Sequence, residues 1–106
     1  MVKKISGKEF EQVQEEKIAV IDFSAEWCTP CRMLAPVLEE ASEELKEVAA
    51  FYNMDVDENP DLAQSLGITN IPALILMKNG KKTAVQVGFQ PKKQICDFVR
   101  SQLQEQ

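Results

Sequence analysis

The 106-residue sequence contains no histidine. This excludes every cysteine–histidine nucleophile pair and every imidazole general base. Chemistry must then rest on thiols, carboxylates, amines or the one tyrosine. Basic charge is also short. Twelve lysines and arginines stand against 17 aspartates and glutamates, for a net charge of −5. That balance argues against nucleic acid or an anionic membrane as partner, because both need a basic face. No apolar run approaches the ~18 residues of a membrane span. Lys3 and Lys4 have no apolar stretch behind them, so the N-terminus does not read as a secretory signal. A cytoplasmic protein is expected. Cysteine is scarce and odd in number, with three residues. Disulfide scaffolds use denser, even sets. A structural zinc site takes four ligands and an iron–sulfur cluster as many thiolates, so neither is expected.

What is present suits one domain over 1–106: 44% of residues are apolar, enough for one core. Residues 1–5 read as a short edge strand. Ser6 and Glu9 form a capping-box pattern, so a helix should start at Gly7 and fade near Glu16. Residues 17–23 form a continuous apolar run interrupted by Asp22, as in a strand covered on both faces. Leu34, Val37, Leu38, Ala41 and Leu45 recur at helical spacing over 28–45. Residues 48–56 make another strand. Asn59-Pro60 opens a short helix that Gly67 stops. Residues 73–78 and 83–87 flank an Asn79-Gly80 hairpin turn. A last helix runs from Pro91 to about Gln104, with Ile95, Phe98, Val99 and Leu103 on one face. The order β-α-β-α-β-α-β-β-α predicts an α/β fold: a central mixed sheet of about five strands flanked by four helices.

Trp27-Cys28-Thr29-Pro30-Cys31 falls where the buried strand gives way to the long helix. A thiolate is the nucleophile of disulfide exchange, and a free cysteine is mostly protonated at neutral pH. At a helix N-terminus, unpaired N–H groups and the dipole favour the anion at Cys28. Cys31 lies three residues on, in the same turn, close enough for the two sulfurs to bond. Pro30 stiffens that turn. Asp22 lies within an otherwise apolar run, where desolvation raises a carboxyl pKa.

The chain resembles the thioredoxin family over nearly its whole length. The similarity runs through I-D-F-S-A-E-W-C-T-P-C-R-M-L-A-P, then D-V-D-E-N-P, G-I-T-N-I-P, K-N-G-K and V-G-F. It implies a thioredoxin fold and a protein-disulfide reductase that holds no cofactor. Cys28 would be the attacking cysteine and Cys31 the resolving one. Asp22 would exchange protons with Cys31. Ile71-Pro72 would match a cis-proline loop beside the disulfide. Trp27, Thr29, Pro30, Ile71, Pro72, Val87, Gly88 and Phe89 would form the apolar face that receives substrate, Gly88 allowing close approach. Partners would be protein disulfides and a flavoprotein, NADPH-dependent thioredoxin reductase, with the chain acting as a monomer.

The sequence departs from the family pattern at three places near the motif. Thr29 stands where glycine is usual. Asn53 stands where many bacterial members have lysine, removing a cation near Asp22. Ser24 replaces a second tryptophan, leaving the site less shielded. Two other functions remain open: a dedicated electron donor to one enzyme system, and a binding subunit whose redox pair is incidental. Cys96 is expected on the last helix, at the edge of its apolar face beside Val99 and Leu103, without a role.

Overall fold

The computed structural model describes residues 1–103. The expected helix end at Gln104 lies outside the described residues. Five strands form one sheet: β1 (Val2–Lys4), β2 (Ile18–Ser24), β3 (Ala50–Asp55), β4 (Ala73–Lys78) and β5 (Lys81–Val87), in the spatial order β1-β3-β2-β4-β5. β1, β3 and β2 run parallel, while β4 and β5 are antiparallel additions. Four helices cover it: α1 (Phe10–Gln14), α2 (Thr29–Glu44), α3 (Pro60–Ser65) and α4 (Lys92–Leu103).

The period-two alternation of strands divides the core between the two faces. Val20, Leu74 and Leu76 pack with α2 and α4 through Leu34, Leu38, Ile95 and Val99. Ala19, Ile21, Phe23, Ile75 and Met77 pack on the other side with Val13 and Ala63 of α1 and α3. Asp22 has the parity of Val20, so it points towards the α2 face. This parity puts a carboxyl behind the first turn of α2.

Local differences from the sequence reading have physical causes. The first helix opens as a 3-10 turn over Gly7–Glu9, and α-helix begins only at Phe10. The Ser6 amide donates to Glu9 Oε1 at 2.9 Å, which secures that tight first turn. Asn59 sits before α3 but makes no side-chain cap. Its Oδ1 instead accepts from the Gly7 amide at 2.7 Å, and its Nδ2 donates to the Asp55 carbonyl. Asn59 thus ties α3 to the N-terminal turn, a contact that local sequence does not reveal. The hairpin turn is as expected, with Asn79 and Gly80 both at positive φ. β5 begins two residues earlier than expected, because the ladder continues to the turn across an irregularity at Leu76/Met77.

Cys96 is a correction. It lies inside the α2–α4 core, 2% exposed, beside Ile95 and Val99. Burial, and then the Glu44 carboxylate, push its thiol above the ordinary range, so thiolate is scarce at neutral pH. In the native protein Cys96 is therefore expected to resist thiol reagents until denaturant is added. Cys96→Ser should keep its turnover and lose about 1 kcal/mol of stability. Rapid labelling of Cys96 in the fold, or a large loss of turnover, would contradict this placement.

Candidate functional site

The site is assembled where β2 ends and α2 begins. Ala25 O accepts from the Cys28 amide at 3.2 Å, which turns the chain out of the strand. Cys28 is the N-cap of α2, with extended φ and ψ, and Pro30 lies in the first turn, where its missing N–H is no loss. Cys28 and Cys31 are joined by a disulfide, their Cα atoms 5.3 Å apart. The Cys31 amide donates to Cys28 Sγ at 3.3 Å. An anion at that sulfur would meet the same amide and the positive end of the helix. Both cysteines are buried, packed with Ala25 and against Val56 and Ile71.

Asp22 is 2% exposed. Parallel pairing sets Asp22 opposite Asn53 of β3, and antiparallel pairing sets it opposite Leu74 of β4. Burial raises its carboxyl to about 7, and a hydrogen bond from Asn53 pulls the other way. Asn53 Nδ2 lies 3.2 Å from Asp22 Oδ2 and 2.8 Å from Ser24 Oγ. A cleft of about 200 Å³ reaches this group, with Asp22, Ser24, Cys31, Arg32, Asn53 and Lys4 on its walls. Asp22 and Cys31 therefore share one opening to solvent.

On the far side of the cysteines lies an apolar surface. Trp27 is 69% exposed, and its indole N–H donates to Asp57 Oδ2 at 2.8 Å. Thr29 and Pro30 are exposed, Ile71 is half-buried and Pro72 is buried. The Ile71–Pro72 peptide is cis. The Gly88 amide donates to the Pro72 carbonyl at 2.7 Å, placing Val87, Gly88 and Phe89 beside that loop. Gly88 has φ of +93°, which disfavours any side chain, and open space stands where a Cβ would be. Val87 and Phe89 are both exposed.

Every site residue named from the sequence lies in this region. Four contributors escaped that reading. Asn53 and Ser24 appear in sequence only as departures from a pattern, yet together they form the polar surroundings of Asp22. Lys4 reaches the cleft because β1 pairs with β3, aligning Lys4 with Asn53. Asp57 holds the Trp27 indole. The D-V-D-E-N-P segment is the one available signal for Asp57, and it does not name the partner.

Comparison with known proteins places the chain among thioredoxins. The thioredoxin family model matches residues 1–101. The thioredoxin of Listeria monocytogenes is 43% identical over 99 residues, covering 93% of this chain and 96% of that protein. A Staphylococcus aureus thioredoxin is 38% identical over 100 residues, covering 94% and 96%. Among solved structures, a mutant thioredoxin from Halobacterium salinarum superposes with a TM-score of 0.85 at 33% identity, covering 93% of this chain and 89% of that one.

Proposed function

The chain belongs to the thioredoxin family and is a thiol–disulfide oxidoreductase acting on proteins; from that premise we propose a single-domain general disulfide reductase in which Cys28 attacks and Cys31 resolves. The observation that carries the assignment is the disulfide at the N-terminus of α2 with a buried carboxyl behind it. In the reduced protein, the Cys28 thiolate attacks one sulfur of a substrate disulfide. A Cys28–substrate bond forms and the other substrate sulfur leaves as a thiolate. Cys31 then gives its proton to Asp22 and attacks Cys28 Sγ. The mixed disulfide breaks, the second substrate thiolate leaves, and the Cys28–Cys31 bond remains. The substrate gains two electrons and the protein loses them.

A disulfide offers little charge or shape to grip, so selection falls to its surroundings. Trp27, Thr29, Pro30, Val87 and Phe89 supply exposed surface, much of it apolar. Ile71, Pro72 and Gly88 present a backbone edge where an extended substrate segment can lie. Two electrons per cycle must be restored. We assign that to a flavoprotein thioredoxin reductase drawing on NADPH, with the protein acting as a cytoplasmic monomer. No helix among the described residues is long and apolar enough to cross a membrane. The test is reduction of insulin disulfides with dithiothreitol as electron source. Catalysed precipitation of the insulin chains is expected at substoichiometric protein. A rate equal to dithiothreitol alone would favour a binding subunit with an incidental redox pair.

A further inference from the structure

We propose that Asn53 is a positioning residue for Asp22: its amide holds one carboxylate oxygen, Oδ2, and so reserves the other, Oδ1, for the proton of Cys31. The proposal rests on the acid–base role given to Asp22 above. Its support is geometric. Asn53 and Asp22 are cross-strand partners on β3 and β2, so their side chains stand on one face. Asn53 Nδ2 carries two N–H groups and has three acceptors in range. These are Ser24 Oγ at 2.8 Å, Asp22 Oδ2 at 3.2 Å and the Asp22 carbonyl at 3.2 Å. One N–H serves Ser24, and the other is shared between the two oxygens of Asp22. Reversing the amide would set its oxygen against the carbonyl and carboxylate of Asp22, so the donor orientation is fixed. Asp22 Oδ1 is buried and has no hydrogen-bond partner among the described residues. A buried acceptor left unpaired is costly, and here the cost has a use. Cys31 lines the same cleft as Asp22 and Asn53.

The charged and titratable groups around this carboxyl come from every neighbouring element. They are Lys4 of β1, Asp55 of β3, Cys31 and Arg32 of α2, and Glu26 of the preceding loop. β4 contributes apolar Leu74. Among these groups it is the Asn53 side chain that donates a hydrogen bond to the carboxylate. That bond favours the ionised form and opposes burial.

Asn53→Leu removes the donor and keeps similar bulk, and Asn53→Ala serves as a second variant should leucine disturb β3. Two midpoints are compared with those of the parent. One is the Asp22 titration, followed by carboxyl-carbon NMR. The other is the pH dependence of the single-turnover step in which Cys31 resolves a mixed disulfide. Both are expected to rise together, by about half a pH unit or more. In an Asp22→Asn background, Asn53→Leu should leave that step unchanged, since Asn53 acts through Asp22. A purely structural Asn53 would move melting temperature but neither midpoint, and that result overturns the proposal. If the Asp22 titration moves while the kinetic profile stays still, the acid–base role of Asp22 itself fails.

Discussion

Asp22→Asn is expected to melt at a higher temperature than the parent at pH 7 and to reduce disulfides more slowly. Burial pushes the Asp22 carboxyl from 3.8 up to about 7 in the fold. Below pH 3.8 the group is protonated in both folded and unfolded chains, and it costs nothing. As pH rises from there, the unfolded chain releases its proton while the fold retains it. The cost grows across that window and is constant above the folded value, where it amounts to about 4 kcal/mol. Asparagine never ionises, and its amide oxygen can still accept from Asn53. A gain of roughly 2 kcal/mol is expected, which raises the melting temperature by several degrees in a domain of this size. The gain should vanish as pH falls towards 3.8. Turnover should drop about tenfold, less than the 10²–10⁴ of a wholly enclosed general base, because the cleft admits water as a poorer proton acceptor. Higher stability with lower activity in one variant is the pattern of a group kept for function. Thermal melts of the oxidised protein from pH 3 to 9, paired with insulin reduction, check it. Destabilisation at pH 7, or a gain indifferent to pH, would count against the account.

The cysteine substitutions carry the largest kinetic effect. Cys28→Ser replaces a thiolate by a hydroxyl that remains protonated throughout the working range, and catalysed insulin reduction is expected to fall to background. Cys31→Ser should fall equally far for a different reason. Attack by Cys28 still occurs, but no neighbouring thiol resolves the mixed disulfide, and release falls to slow attack by dithiothreitol from solution. Steady-state rates therefore cannot separate the two roles. The distinction lies in what accumulates.

Most of the fold was legible because its signals are local. The continuous apolar run at 17–23, the helical spacing of Leu34, Leu38 and Leu45, and the Asn79-Gly80 turn each specify an element without help from elsewhere. Strand order and side-chain partnership are not local. Asn53 reads in sequence as an absent lysine, but β2–β3 register makes it a hydrogen-bond donor to Asp22. Asn59 reads as a cap, yet its oxygen is taken by Gly7, 52 positions away. Cys96 has a polar neighbour on each side of its helical face, and only the packing of α4 on α2 buries it. Within the site, the dithiol and its helix end were visible from spacing and helix chemistry. The cleft shared by Asp22 and Cys31 required three strands and a helix to meet.

The central claim is that Cys28 attacks and Cys31 resolves. It is tested most directly by mixing each reduced serine variant with a disulfide-bonded protein substrate, quenching with acid and a thiol-blocking agent, and separating the products on a non-reducing gel. Cys31→Ser is expected to accumulate a protein–substrate adduct that dithiothreitol dissolves, while Cys28→Ser forms none. Equal adducts from both variants, or an adduct from Cys28→Ser alone, would contradict the assignment.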